Sequence, residues 1–283
     1  MSVTLQCGQR SLSLDTPQIM GVLNVTPDSF SDGGQLLSRT GIRNDQLLER
    51  AVQMVDDGAS ILDIGGESTR PGAAPVSAQE ELDRVMGAVE LIAPRLDVIL
   101  SIDTSTPEVM REAAMAGAGL LNDVRAFSRD GALAAAVASR LPVSLMHMSD
   151  EPDRMQQQTN YGDVVTDVKA FLEHRIAACL TAGIAEDQIV IDPGFGFGKT
   201  VAQNYQMLRK LGEFASFDLP ILVGVSRKSM IGAITGRPAS ERVVPSAVLA
   251  VMAAQRGASV VRVHDVAETA DALSVWQATE GKL

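Results

Sequence analysis

Short apolar segments recur along the chain, and each is followed by a polar residue or glycine and then by a segment of helical periodicity. The apolar segments are rich in valine, isoleucine and leucine, which is typical of strands buried on both faces of a parallel sheet. Eight such strands are predicted, at 19–23, 60–64, 98–102, 120–121, 142–146, 189–191, 221–225 and 260–263.

The segments between these strands place apolar residues on one helical face. Leu47 and Ala51 share such a face in the first segment, as do Leu82 and Val85 in the second. The longest pattern, 163–182, ends before Gly183, a residue type that commonly terminates helices. Alternating strands and helices therefore predict the α/β class.

Eight strand–helix units fit either a closed (β/α)8 TIM barrel or an open doubly wound sheet, and the regular repeat favours the barrel. A length of 283 residues is typical of a barrel that forms one domain, so we expect a single domain over 1–283. Residues 1–18 contain an alternating segment around Gly8. This segment predicts a short N-terminal β-hairpin that closes the bottom of the barrel.

Composition argues against several classes of partner. The hydrophobic fraction is 46%, but no apolar run approaches the roughly 20 residues that span a bilayer, so no membrane association is expected. A formal charge of −11 argues against binding to nucleic acid or to an anionic membrane surface. Cys7 and Cys179 are too far apart in sequence for a zinc motif or a disulfide framework. No secretory signal pattern is visible, and we expect a cytoplasmic protein.

Polar residues follow every predicted strand. In a barrel, the carboxyl ends of the strands meet at one face, where barrel enzymes build their active sites. The candidates at these positions are Asn24, Glu67, Asp103, Asn122, Asp123, His147, Asp192, Ser226, Lys228, Arg262 and His264. Converging carboxylate, amide and ammonium groups would suit a flat heterocycle, which favours a set made of Asp103, Asn122, Asp192 and Lys228. For any single Asp or Asn, capping of the next helix is an equally good explanation.

The last predicted strand carries a second candidate group. Arg262 and His264 alternate with Val261 and Val263, so both polar side chains point to the same side of the strand. An arginine fork and an imidazole there suit a phosphate, which barrel enzymes often bind after their last strands. The alternative is that a neighbouring carboxylate satisfies Arg262.

Two turn-rich segments, 24–34 and 68–72, follow the first two predicted strands and are typical of mobile covering loops. Solvated excursions without a role are the alternative. A glycine-rich segment at 194–200 ends like a phosphate-binding P-loop, but Pro193 stands where that motif needs its first glycine. Likewise, 224–228 lacks the final glycine of a nucleophile elbow, because Lys228 occupies that position. Neither a P-loop ATPase nor a serine hydrolase is supported.

Taken together, the motifs at the strand ends resemble those of the dihydropteroate synthase family, the folate-pathway enzymes that sulfonamides inhibit. The resemblance extends from about Ile19 to the C-terminal helix. Its two longest motifs are MGVLNVTPDSFSDGG at 20–34 and DIGGESTRPG at 63–72. Shorter ones follow in the family's order at 101–104, 122–124, 146–148, 192–197, 226–229 and 262–265.

This resemblance implies a barrel enzyme and a transfer reaction. Para-aminobenzoate would be joined to 6-hydroxymethyl-7,8-dihydropterin pyrophosphate, giving 7,8-dihydropteroate and pyrophosphate, with Mg²⁺ as cofactor. It also implies a homodimer. An aromatic amine is neutral and nucleophilic near pH 7, so the chemistry would need positioning and electrostatic stabilisation and no obligatory general base.

The resemblance also implies residue roles. The pterin would be bound by Asp103, Asn122, Asp192 and Lys228. The pyrophosphate would be bound by Asn24, Thr69, Arg70, Arg262 and His264, with Asn24 also a metal ligand. The aminobenzoate would be surrounded by Phe30, Ser68, Thr69, Pro71, Phe197 and Ser226. The residues expected to act in catalysis are Asp103, Lys228, Arg262 and His264.

Two other functions share the pterin pocket. One is a barrel methyltransferase that passes a folate methyl group to a corrinoid protein, and the other is a non-catalytic pterin-binding paralogue. Neither would need a pyrophosphate site and two intact covering loops, so the complete segments at 24–34 and 68–72 argue against both.

Overall fold

The computed structural model of the chain describes residues 3–26, 40–67, 76–151 and 154–281. Two short antiparallel strands come first, β1 (Thr4–Cys7) and β2 (Arg10–Ser13). The strands that follow are β3 (Gln18–Asn24), β4 (Ile61–Gly65), β5 (Ile99–Asp103), β6 (Leu120–Asp123), β7 (Val143–Met146), β8 (Ile189–Asp192), β9 (Leu222–Val223) and β10 (Val260–Val263). These eight lie close to the positions predicted from the apolar segments.

Helices connect the parallel strands. Within the described residues they are α1 (Thr40–Asp56), α2 (Ala78–Ile92), α3 (Pro107–Met115), α4 (Ala132–Ser139), α5 (Val164–Ala182), α6 (Val201–Arg209), α7 (Ser229–Thr235), α8 (Val243–Ala254) and α9 (Val266–Thr279). Short 3₁₀ turns occur at Met155–Gln157, Glu186–Gln188, Leu211–Phe217 and Ala239–Glu241. Helix α5 begins after Asp163, whose carboxylate accepts from the Thr166 amide at 3.0 Å, and it ends at Gly183 with φ 103°. No helix in the described ranges has the length and apolarity needed to span a bilayer.

The eight parallel strands close into a barrel. Strands β3 to β8 pair in chain order, β10 pairs with β3, and β9 pairs with β10. A parallel bridge between Ile191 and Ile221 joins β8 to β9, where the Ile191 amide donates to Pro220 O at 2.9 Å. An open doubly wound sheet would leave two unpaired edges, so the barrel prediction is confirmed.

Strand β9 is shorter than its apolar segment, 221–225. Its ladder with β10 ends at the pair Val223–Val261. The next residue, Gly224, lies against the side chain of Arg262, with Cβ and Cδ of that arginine within 4 Å of the position that a Cβ would take. Gly224 therefore packs directly against the Arg262 side chain just beyond the end of β9.

The N-terminal hairpin packs against the amino ends of the barrel strands. Leu5, Cys7 and Leu12 form a buried cluster with residues from the beginnings of the strands, among them Ile61 and Val260. Gly119 makes close approach possible, because a Cβ there would lie 3.1 Å from Cys7 O. The hairpin covers this end, and the polar strand ends lie at the opposite face.

Candidate active site

The strand register aligns three of the predicted site residues in one row. Asn24 is paired with Gly65, Gly65 with Asp103, and Asp103 with Asn122. Gly65, between Asn24 and Asp103, has no side chain, and the side chains of both neighbours lie close to it. A Cβ at Gly65 would lie 3.4 Å from Asn24 Oδ1 and 3.6 Å from Asp103 Cβ. Tertiary structure thus brings the candidate metal ligand next to the candidate pterin ligands.

Arg262 joins this row through two carboxylates. Its Nε donates to Asp63 Oδ2 at 2.6 Å, and its Nη2 donates to Asp103 Oδ2 at 2.9 Å. A neighbouring carboxylate was the alternative explanation for Arg262, and two such carboxylates are present. A guanidinium has five N–H donors, so these bonds use two and leave three for a ligand.

Asp63 is a site residue that sequence reasoning missed. It lies inside β4, is fully buried, and also accepts from Ser101 Oγ at 2.6 Å and from Asn122 Nδ2 at 3.4 Å. One carboxylate therefore orients both Asn122 and Arg262. The available signal was a charged residue inside an apolar strand, since a buried charge needs bonded partners.

Asp103 lies beside a second carboxylate in a low-dielectric site. Burial raises the pKa of Asp103 to about 7, with a further upward contribution from the negative charge of Asp63, while the positive charge of Arg262 opposes both. A carboxyl of this kind changes protonation state near neutral pH. It can accept a hydrogen bond from a ligand, or donate one when protonated.

Lys228 and Asp192 form the other side of the cluster. The Lys228 ammonium donates to Phe195 O and lies 4.1 Å from the centroid of the Phe197 ring, a cation–π contact. Burial lowers the pKa of Lys228 to about 8, although the negative charge of Asp192 opposes this. The Asp192 carboxylate accepts from the Gly194 amide at 2.7 Å, and burial raises its pKa.

His264 is held by Ser226. The His264 amide donates to Ser226 Oγ at 3.1 Å, and the ring Nδ1 lies 3.0 Å from the same oxygen. Ser226 is buried, so the hydroxyl fixes the imidazole at the end of β10. Arg227, between Ser226 and Lys228, instead forms an ion pair with Asp265 through Nε at 3.0 Å. His264 is therefore a candidate ligand, whereas Arg227 and Asp265 form a structural ion pair beside it.

Two candidate strand-end residues have structural partners outside this cluster. Asp123 shapes the loop after β6, accepting from the Arg125 amide at 2.9 Å and the Phe127 amide at 2.7 Å. His147 is buried, with its Nδ1 2.9 Å from Lys199 Nζ, and burial lowers the pKa of His147 to about 2. For Asp123, the turn-shaping alternative is the observed one.

The remaining predicted residues belong to the segments 24–34 and 68–72. Phe30, Ser68, Thr69, Arg70 and Pro71 lie outside the described residues. Immediately before the second of these segments, Glu67 accepts from Arg125 Nη1 at 3.3 Å. The Nε of Arg125 donates to Glu151 at 2.9 Å, in the connection after β7. This buried arginine therefore links two connections at the active face of the barrel.

The alternate glycines at 194–198 have a conformational cause. Gly194, Gly196 and Gly198 all have positive φ, at 71°, 83° and 65°. A Cβ at Gly194 would lie 1.9 Å from His147 O, and one at Gly198 would lie 1.7 Å from Ser149 Oγ. The three glycines are therefore explained by their positive φ and, at Gly194, by close packing against the backbone of His147.

Comparison with known proteins agrees with this geometry. The family model described as "Pterin binding enzyme" matches residues 20–264 of the chain. A relative from Haemophilus influenzae named dihydropteroate synthase is 50% identical over 275 residues, covering 97% of this chain and 98% of the relative.

Two solved structures have the same fold over nearly the whole chain. The Yersinia pestis dihydropteroate synthase with a sulfonamide drug has a TM-score of 0.93 and 51% identity, covering 98% of this chain and 99% of that one. The Xanthomonas albilineans dihydropteroate synthase in complex with 7,8-dihydropteroate has a TM-score of 0.88 and 45% identity, covering 98% of both chains. The chain therefore belongs to the pterin-binding enzyme family and, within it, to the dihydropteroate synthases.

Proposed function

We propose that the chain catalyses the transfer reaction of its family at the polar strand ends of the barrel. Para-aminobenzoate attacks the methylene carbon of 6-hydroxymethyl-7,8-dihydropterin pyrophosphate, and 7,8-dihydropteroate and pyrophosphate are released. The observation that carries this proposal is the Arg262 guanidinium, bonded to Asp63 and Asp103 at the mouth of the barrel. In this arrangement Arg262, a candidate donor to the phosphate, is bonded to Asp103, a candidate acceptor for the pterin. No observation favours the methyltransferase or the non-catalytic paralogue.

The pterin is assigned to Asp103, Asn122, Asp192 and Lys228. A pterin ring presents N–H donors along one edge and a carbonyl acceptor beside them. The two carboxylates can accept from the donors, while the Lys228 ammonium can donate to the carbonyl oxygen. The partial burial of this cluster strengthens each of these bonds relative to water.

The pyrophosphate is assigned to Arg262, His264 and Asn24, with Thr69 and Arg70 from the second covering loop. Three donors of Arg262 remain after its bonds to Asp63 and Asp103. Because these two carboxylates hold the guanidinium plane, the remaining donors have a fixed direction. Such preorganisation stabilises a leaving anion without reorganisation during the reaction.

The aminobenzoate is assigned to the neighbourhood of Phe197 and Ser226, with Phe30, Ser68, Thr69 and Pro71 contributed by the covering loops. The Phe197 ring lies next to Lys228, and Ser226 lies next to His264. A flat aromatic acid bound there would have its amine beside the assigned pterin site. The catalytic residues proposed are Asp103, Lys228, Arg262 and His264.

Mg²⁺ fits the donor set only as an ion shared with the substrate. Within the described residues there is no group of three His, Cys, Asp or Glu side chains that could hold a metal. Mg²⁺ in phosphate sites often has one or two protein ligands and completes its octahedron with water and phosphate oxygens. The Asn24 amide oxygen is a suitable protein ligand, and the bound ion would supply positive charge to the leaving pyrophosphate.

In this reaction the C–O bond to pyrophosphate breaks and a C–N bond to the amine forms. The amine nitrogen then loses a proton to water or to the departing pyrophosphate. Arg262 and His264 stabilise the negative charge that leaves, and the ionised form of Asp103 stabilises the positive charge that develops on the pterin. The protein mainly aligns the two reactants and supplies fixed charges, so no general base is required.

We also propose a homodimer that forms through helices α8 and α9. Val244 and Val248 of α8 are 73% and 52% exposed, and with Val251 and Met252 of α8 and Ala272 of α9 they line an apolar groove, the α8/α9 face. Exposed apolar side chains that lie together between two helices are typical of interfaces, and a second copy of the chain is the proposed occupant. Cys7 and Cys179 are buried free thiols, which agrees with the cytoplasmic location that we propose.

The activity is tested with purified protein, the pterin pyrophosphate, ¹⁴C-labelled aminobenzoate and Mg²⁺. Formation of labelled dihydropteroate and of one equivalent of pyrophosphate is expected. Reactions with the pterin alcohol instead of its pyrophosphate serve as the control, because the alcohol lacks the leaving group. Absence of labelled product in the complete mixture would refute the proposed activity.

A further inference from the structure

Lys199 is buried close to the proposed pterin site, yet none of the roles above uses it. It is 4% exposed, and its Nζ makes three contacts inside the protein. These are 2.8 Å to Gly194 O, 3.1 Å to Phe197 O and 2.9 Å to His147 Nδ1. In the P-loop that this segment resembles, the lysine binds phosphate. In this chain the lysine at the same position instead donates to backbone carbonyls of its own loop.

The two carbonyls held by Lys199 enclose the part of the loop that contacts the pterin cluster. The Phe197 amide donates to Gly194 O at 3.2 Å, so these residues form a tight turn. Within that turn, Phe195 O accepts from Lys228, and the Phe197 ring lies 4.1 Å from the same ammonium. The Gly194 amide also donates to Asp192. Movement of the turn would displace Lys228 and Asp192 together.

The three contacts of Lys199 are satisfied in either protonation state. Burial and the positive charge of Lys228 lower the pKa of Lys199, although Asp192 opposes them, and His147 is neutral because burial holds its pKa near 2. An ammonium donates to both carbonyls and to the Nδ1 lone pair. A neutral amine donates to both carbonyls and accepts from an Nδ1–H. The contacts therefore hold over a wide range of pH.

We propose that Lys199 is a positioning residue for the pterin site. By joining Gly194 O and Phe197 O to His147, it fixes the turn at 194–197, which in turn sets the positions of Lys228 and Asp192. This inference rests on the proposed function for its ligand, but the effect on the turn does not depend on any ligand. Asn204 also helps to hold this turn, since its Oδ1 accepts from the Gly196 amide at 2.7 Å, so Lys199 and Asn204 anchor different residues of the turn.

The first test compares Lys199→Met with Lys169→Met. Methionine keeps an unbranched chain but loses every N–H donor. Lys169 is a matched control, because its Nζ donates to a backbone carbonyl, Glu213 O, at 3.0 Å on the surface. In the free protein, Lys199→Met is expected to speed amide hydrogen exchange in peptides covering 193–200, while Lys169→Met leaves it unchanged. Unchanged exchange in Lys199→Met would overturn the proposal.

The second measurement is pterin affinity by calorimetry. Misplacement of a binding group by even 1 Å has large consequences, so Lys199→Met is expected to weaken pterin binding about tenfold to a hundredfold. His147→Phe keeps the ring packing against Tyr161 and Phe171 and removes one contact of Lys199, so a smaller loss is expected. If Lys199→Met does not fold, His147→Phe is the variant that tests the proposal. Wild-type affinity in both variants would contradict the inference.

A double-mutant cycle separates positioning from general loosening. If Lys199 acts through Lys228 and Asp192, the loss of affinity in the double variant Lys199→Met/Lys228→Met should be smaller than the product of the two single losses. Losses that multiply independently would overturn the inference. Failure of the wild-type protein to bind pterin would refute the proposed function instead, while faster exchange at 193–200 in Lys199→Met would still support the role of Lys199 in the turn.

Discussion

The Nε of Arg262 donates to the buried carboxylate of Asp63 at 2.6 Å, across 199 positions of sequence. This bond connects β10 to β4 inside the barrel and fixes the guanidinium plane. The Nη2 of the same guanidinium donates to Asp103, which is paired with Asn122 in the strand register. Asp63, which we assign to no ligand, thus orients Arg262, which we assign to the leaving pyrophosphate.

Replacement of Asp63 should therefore damage both stability and ligand binding. Removing one partner from a buried ion pair typically costs about 3–5 kcal/mol, and partial exposure of Arg262 places Asp63→Ala toward the lower end. Urea unfolding measures this loss. Asp97→Ala is a control, because Asp97 pairs with Arg10 at the surface and should cost less than about 1 kcal/mol. Equal losses in the two variants would contradict the structural importance of Asp63.

Arg262→Ala should weaken binding of the pterin pyrophosphate far more than binding of the pterin alcohol. The reason is that the guanidinium is assigned to the phosphate oxygens, and charge-assisted bonds contribute about 1.5–3 kcal/mol each. Isothermal titration with both ligands measures the difference. Asn122→Ala is the matched control and should weaken both ligands alike, because it is assigned to the ring. A similar loss for both ligands in Arg262→Ala would refute the phosphate role.

Asp103 should make the protein less stable as the pH rises. Its pKa is about 7 in the folded protein, against an ordinary value near 4, so the folded state holds the proton more tightly. Stability contributed by the protonated form is complete below about pH 4 and falls as the pH rises to about 7, by on the order of a few kcal/mol. Asp103→Asn should reduce the slope of the unfolding free energy between these pH values. An unchanged slope would contradict the raised pKa.

Gly194→Ala should be more damaging than Gly236→Ala. Both glycines have positive φ, at 71° and 69°, so alanine strains the backbone at each by about 1–2 kcal/mol. Only at Gly194 does a Cβ also meet His147 O at 1.9 Å, whereas nothing lies within 4 Å at Gly236. Chemical unfolding should show a clearly larger loss for Gly194→Ala. Equal losses would mean that the turn moves easily to accept a side chain.

Val248→Glu should convert the proposed dimer to a monomer. A buried carboxylate without a partner in an apolar interface carries a large desolvation cost. Sedimentation velocity measures the change in mass. Met115→Glu is the control, since Met115 is 74% exposed on α3, outside the α8/α9 face, and the substitution should leave the mass unchanged. Dimers in Val248→Glu would exclude this face as the interface.

The sequence by itself determined the elements of the barrel and the candidate residues at its mouth. Strand β10 occupies the predicted range of 260–263, and α5 begins after Asp163 and ends before Gly183 as its pattern indicated. Such features are local, because apolar periodicity and terminating residues act within a few positions of the chain. The common location of Asp103, Asn122, Asp192 and Lys228 also followed, since the carboxyl ends of barrel strands meet at one face.

Only the tertiary structure decided which side chains bind one another. In the sequence, Asp63 is only one residue of a motif, and the structure shows that it binds Arg262 across β4 and β10. Lys199 belongs to a segment that lacks the first glycine of a P-loop, and the structure shows that its Nζ donates to Gly194 O of the same loop. Likewise, His147 and Asp123 follow their strands as the ligand candidates do, but their partners lie within the protein. Side-chain partners separated by many residues depend on strand register and rotamer, and local patterns contain neither.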